Sequence, residues 1–92
     1  MGNHYVYMIR CQDGSLYTGY TNNVERRLQM HESGKGAKYT RGKGPFVLEL
    51  CQSYTTKQEA MQSEYAIKQL SKSAKECLIQ EGKIKDVAAK EL

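Results

Sequence analysis

The sequence predicts an α+β domain: a small three-stranded antiparallel sheet flanked by helices, in the order ββαβαα. Three observations predict it. Two short β-rich runs, residues 5–11 and 16–20, flank the turn triplet Gln12-Asp13-Gly14 and so form a β-hairpin. Val24, Arg27, Leu28 and His31 then recur at the spacing of one helical face, half of it apolar. A third β-rich run, 46–54, leads into the capping-box pattern Thr56-Lys57-Gln58-Glu59, which opens a further helix.

Size and charge set the outer limits. Ninety-two residues make one domain near the small end for a self-supporting core. With 39% hydrophobic and 26% charged residues the composition is globular rather than disordered. No apolar run is long enough to span a bilayer, and no basic-then-apolar leader precedes the first strand, so the expectation is a soluble cytoplasmic protein without a membrane partner. Cys11, Cys51 and Cys77 are odd in number and lack CxxC spacing, which supports neither a disulfide framework nor a zinc knuckle. A net charge of +4 and a pI of about 9.0 favour anionic partners such as nucleic acid or acidic headgroups.

Within the hairpin, the length of the turn decides which side chains share a face. A two-residue Asp-Gly turn places Tyr17 opposite Arg10, away from Tyr7. A three-residue turn with Gly14 in the left-handed region pairs Ile9 with Tyr17 and brings Tyr7 and Tyr17 onto one face. The odd-length turn is the reading adopted. Thr21 or Asn22 can cap the next helix, which runs to about Glu32 and stops at Ser33-Gly34. Val24, Arg27, Leu28 and His31 share its packed face, while Glu25, Arg26, Gln29 and Glu32 point outward.

Residues 34–45 form a Gly-rich basic loop in which Lys35, Lys38, Arg41 and Lys43 surround Tyr39 with no acid among them. The third strand follows, with Val47, Leu48, Leu50 and Cys51 as its apolar content. The next helix reaches about Leu70, with Ala60, Ile67 and Leu70 on its buried side. Glu64 falls in that stripe, where a carboxylate needs an ion partner or a metal. Ser73 can cap a last helix ending at Gly82, giving a single domain over residues 1–82 and a C-terminal tail over 83–92.

Tyr5-Val6-Tyr7, then Tyr17-Thr18-Gly19, then Arg27, His31 and Glu64, together resemble the GIY-YIG endonuclease superfamily, closest to its small stand-alone bacterial members. Asp13-Gly14-Ser15, Thr21, Gly34-x-Gly36-Ala37-x-Tyr39-Thr40 and Pro45 extend the likeness over residues 4–72. The resemblance implies a GIY-YIG nuclease-like fold and in-line hydrolysis of a DNA phosphodiester, with RNA as an alternative substrate. Tyr7 and Tyr17 then look like the motif tyrosines, one or other of which deprotonates the attacking water directly or through another water. Arg27 resembles the residue that holds the scissile phosphate, and His31 a phosphate contact. Glu64 looks like the single carboxylate ligand of one Mg²⁺ or Mn²⁺ ion.

Two positions depart from the family pattern. Tyr5 replaces the first motif's glycine, as is usual in the stand-alone branch, and Tyr20 stands where some relatives carry a lysine. Because the chain has no second domain, low sequence selectivity is expected, with branched, flapped or damaged DNA as the substrate and repair or recombination as the setting.

The same residues have plainer readings. The tyrosines suit a sheet surface, Glu64 could pair with Arg27 rather than hold a metal, and the basic loop could be a solvated connector. The alternative function is a nucleic-acid-binding module without turnover, using Lys35, Lys38, Arg41 and Lys43 on phosphates and Tyr39 as a stacking platform. A protein-interaction adaptor that retains the nuclease fold is the third class.

Overall fold

The computed structural model describes residues 3–35 and 40–91, with 82–91 as backbone. Its elements are β1 (His4–Arg10), β2 (Leu16–Thr21), α1 (Val24–Glu32), β3 (Val47–Tyr54), α2 (Lys57–Lys68) and α3 (Lys72–Glu91). The expected ββαβαα order holds. The sheet order is β2-β1-β3, with central β1 antiparallel to both neighbours. Among the described residues no helix is long and apolar enough to cross a membrane.

The hairpin has the odd-length turn. The Cys11 amide donates to the Ser15 carbonyl at 2.8 Å and the Gly14 amide to the Cys11 carbonyl at 3.0 Å, leaving Gln12, Asp13 and Gly14 as the loop. Gly14 has φ +88°, a conformation that suits glycine. Ile9 therefore pairs with Tyr17, and Tyr7 with Gly19. A register shifted by one residue would send Tyr17 to the opposite face.

β1 is buried on both faces, since Val6, Tyr7, Met8 and Ile9 are each no more than 1% exposed. On one face Val6, Met8 and Leu16 pack with Ala60 and Ile67 of α2 and Ile79 of α3 to form the apolar core. The other face carries Tyr7, Ile9 and Tyr17. β3 is an edge strand, which leaves Val47 and Leu48 exposed. Its register slips between Met8 and Ile9, and the extra residue is Glu49. Arg10 donates to Glu49 at 2.6 Å and to both carboxylate oxygens of Glu76 at 2.9 and 2.6 Å, tying β1 to β3 and α3.

The helix ends differ from the sequence reading in four places. Asn23, rather than Thr21 or Asn22, caps α1 by accepting the Arg26 amide at 3.1 Å. Thr21 is occupied: its hydroxyl accepts the Asn23 amide at 3.0 Å and donates to the Asn23 carbonyl at 3.1 Å. Ser71, rather than Ser73, caps α3 through the Ala74 amide at 3.2 Å. Leu70 lies past the end of α2 and is exposed, not part of its buried side. Finally, α3 passes through Gly82 to Glu91. An interior glycine costs a helix only about 1 kcal/mol, too little to stop it by itself. The Thr56 box forms as expected, with the hydroxyl accepting the Glu59 amide at 3.1 Å and donating to its carboxylate at 3.0 Å.

Candidate active site

Tyr7 is the centre of the face opposite the core. Its ring lies directly over Gly19, where a Cβ would stand 2.5 Å from the phenol oxygen and 2.7 Å from Cζ. Glycine is required there by close approach, not by backbone freedom. Half-buried Tyr17 stands beside Tyr7 with ring centroids 6.3 Å apart. His31, in the last turn of α1, completes the group from above.

The imidazole of His31 is held at both nitrogens. Nε2 lies 2.7 Å from the Tyr7 hydroxyl and Nδ1 lies 2.8 Å from the Thr40 hydroxyl. Its ring also meets Tyr17 and Phe46, with centroids 5.3 and 5.9 Å away. His31 and Thr40 are 2% and 1% exposed, so this chain of hydrogen bonds is shielded from water. Burial, followed by the charge of Arg27, pushes the His31 pKa down. The ring is therefore neutral at physiological pH, with one N–H to donate and one nitrogen to accept.

Burial also raises the pKa of Tyr7, and the Tyr17 phenol and the Glu64 carboxylate push it further, while Arg27 pulls it down. Tyr7 thus feels side chains from β2, α1 and α2 at once. Arg27 is half-buried and makes no ion pair among the described residues. It borders a cleft of about 220 Å³ that Asn23 and Arg26 also line. The Glu64 side chain is 13% exposed, and its ion partner is Lys68, one turn along α2 at 3.4 Å, not Arg27. Among the described residues no three His, Cys, Asp or Glu side chains cluster as a metal cage. Glu64 offers a single carboxylate, sparse ligation of a kind that Mg²⁺ commonly tolerates because it keeps its waters.

Of the basic loop, Lys35 and Arg41 are exposed, whereas Lys43 is half-buried and 3.5 Å from Asp13. The Lys43 carbonyl accepts the Gln12 amide at 2.9 Å, which ties the loop to the hairpin turn. Lys38 and Tyr39 lie outside the described residues. Tyr20 belongs to the opposite face: it packs against the core, 2.7 Å from His4 Nδ1. The sequence reading gave no role to Thr40, Gly19 or Phe46. The first two belong to the quoted motif, and that was the available signal; nothing marked Phe46.

A family model described as the GIY-YIG catalytic domain matches residues 3–77. The UPF0213 protein OB0043 of Oceanobacillus iheyensis is 64% identical over 77 residues, covering 84% of this chain and 90% of that protein. An archaeal relative, the UPF0213 protein VNG_2274C of Halobacterium salinarum, is 55% identical over 75 residues, covering 82% of this chain and 97% of its own length. Two solution NMR structures share the fold. That of the UPF0213 protein BH0048 from Bacillus halodurans is 56% identical with a TM-score of 0.57, covering 84% of this chain and 82% of that one. That of the protein EF2693 from E. faecalis is 42% identical with a TM-score of 0.62, covering 91% and 93%.

Proposed function

The chain belongs to the GIY-YIG family, alongside its small UPF0213 members, and on that premise we propose that it is a metal-dependent endonuclease acting on DNA. The observation that carries the reading is the buried hydrogen-bonded series Tyr7–His31–Thr40, with Arg27 and Glu64 in electrostatic reach of its phenol end. Polar groups from β2, α1 and α2 converging on one phenol are costly to assemble for packing alone.

The chemistry follows from the residues. In the tautomer that donates Nδ1–H to Thr40, His31 Nε2 is the acceptor facing the Tyr7 hydroxyl. A buried phenol is a poor base by itself, because its anion is poorly solvated there. Neutral His31 Nε2 accepts from the Tyr7 hydroxyl, so the phenol proton passes to the imidazole as the phenol oxygen takes that of the attacking water. This single relay builds up no free phenolate, while Arg27 offsets charge on that oxygen. Arg27 also faces charge that develops on the phosphate oxygens, where removing one such contact commonly costs about 10²–10³ in rate. Glu64 would hold the divalent ion, which when bound polarises the phosphate and lowers the charge around Tyr7. Tyr17 and Phe46 wall the imidazole against bulk water.

A domain of this size has little surface for reading bases, which favours a structure, namely branched, flapped or damaged DNA, over a sequence as the substrate. The test is a nicking assay on labelled branched and single-stranded DNA with Mg²⁺ or Mn²⁺. Wild type is expected to cut and Glu64→Gln to fail. Equal behaviour of the two would remove catalysis from this site.

A further inference from the structure

A second feature of the surface adjoins Tyr17. A cleft of about 290 Å³ is lined by Leu16, Tyr17, Thr18, Lys68 and Lys75, and a neighbouring one of about 280 Å³ shares Leu16 and Lys75 and adds Lys72, Asp13 and Ser15. Because the two share residues, they form one trough between the outer edge of β2 and the start of α3. Lys68, Lys72 and Lys75 supply its charge. Among the described residues Asp13 is the one acid on its walls, and that carboxylate already accepts from the Ser15 amide and hydroxyl and faces Lys43.

The placement of two of these lysines runs against helix electrostatics. The N-terminus of a helix carries partial positive charge and favours acidic residues. The first turn of α3 has no acid, and Lys72 and Lys75 stand there one turn apart instead. Neither has an acidic partner among the described residues, while nearby Glu76 is committed to Arg10. Charges repelled by their own helix, uncompensated among the described residues and lining a cleft, suit an external anion. Thr18, on the same wall, is 3% exposed, and among the described residues its hydroxyl has no hydrogen-bond partner. That too leaves polar capacity unused.

We propose that this trough is a strand-guiding site: it takes the phosphate backbone of the nucleic-acid strand adjacent to the scissile phosphate, with Lys72 and Lys75 as its main phosphate contacts. The proposal rests on the endonuclease reading, since Tyr17 is where the trough meets the candidate active site. It adds a direction, because the strand leaves the site along β2 towards the hairpin turn and Lys43. The basic loop and the trough then meet at Asp13.

The experiment measures binding of fluorescently labelled branched DNA by anisotropy over a salt series in chelator, so that no turnover is needed. Wild type is compared with Lys72→Gln/Lys75→Gln and with Lys57→Gln, which removes an equal type of charge from the far end of α2. All three sites are on helix surfaces, and circular dichroism checks the folds. The double variant is expected to bind about tenfold or more weakly and to lose roughly two from the slope of log K against log salt, with Lys57→Gln close to wild type. Wild-type affinity and slope in the double variant would overturn the trough even if the protein cuts DNA. An equal loss in Lys57→Gln would also overturn it, leaving only diffuse charge. If wild type binds no nucleic acid, the trough fails together with the endonuclease reading, whereas binding lost in the double variant of a protein that never cuts would sink only that reading.

Discussion

The two faces of β1 are equally buried and do different work. Val6 and Met8 point into aliphatic side chains of α2 and α3, whereas Tyr7, one residue away, points into a second phenol and an imidazole that is itself bound to a hydroxyl. Burial on the first face is rewarded by removal of apolar surface from water. On the second it is tolerated because each polar atom finds a partner. The core face therefore holds the fold, and the Tyr7 face uses that stability to keep polar groups in fixed positions. Side-chain removal should separate the two faces cleanly.

The largest stability effect belongs to the core. Met8→Ala is expected to cost about 2–5 kcal/mol, a large share of what a domain of this size has, and thermal unfolding would show it. A loss under 1 kcal/mol would erase the contrast between faces. Arg27→Ala reverses the pattern: turnover should drop by about 10²–10³ with the melting temperature nearly unchanged. A melted Arg27→Ala would instead make the arginine structural. Gly19→Ala sits between them, since its Cβ would collide with the Tyr7 ring. It should lose about 1–3 kcal/mol and also its activity, because the phenol must move. A fully active Gly19→Ala would mean that Tyr7 need not stay where it is.

The smallest effect is in the pH dependence of stability. The folded pKa of His31 is lowered by burial and by Arg27, so the unfolded chain binds a proton more readily than the folded one. Stability from the buried neutral ring is thus fully present above the unfolded value near 6.5. It declines as the pH falls below it, with a slope of at most about 1.4 kcal/mol per pH unit. Urea melts in chelator should show this decline in wild type and a flatter profile in His31→Gln. The same profile in both would place the titration elsewhere.

What the sequence made legible divides along the same line. The register of the hairpin was legible as a choice of two: Asp13-Gly14 suits a two-residue or a three-residue turn, and the three-residue one adopted is the one that gives Tyr7 and Tyr17 a shared face. The outward set on α1 and the end at Gly34 followed from local pattern. The caps did not, because Thr21, Asn22 and Asn23 all carry oxygen acceptors, and only the fold shows Thr21 spent on the turn before the helix. Nor did Arg10 with Glu49 and Glu76, a cluster that depends on a bulge in β3 and on contacts between distant segments.

At the candidate site, the motif tyrosines, Arg27, His31 and Glu64 were named from the sequence, but their partners were not. The bond from Thr40 to His31 spans a loop whose path no periodicity encodes. The pairing of Glu64 with Lys68 is a local i, i+4 choice that the sequence allowed without selecting it over Arg27. The lysines of the trough escaped notice because two of them belong to a helix start whose cap was misplaced by two residues.

All of this turns on one oxygen atom. Tyr7→Phe deletes the phenol hydroxyl and keeps the ring that fills the space over Gly19, so the fold should survive with His31 Nε2 lacking its partner. Single-turnover cleavage of a labelled branched DNA in Mg²⁺ is the measurement. The account predicts a rate at least about 10²-fold below wild type; cleavage by Tyr7→Phe at the wild-type rate would contradict it.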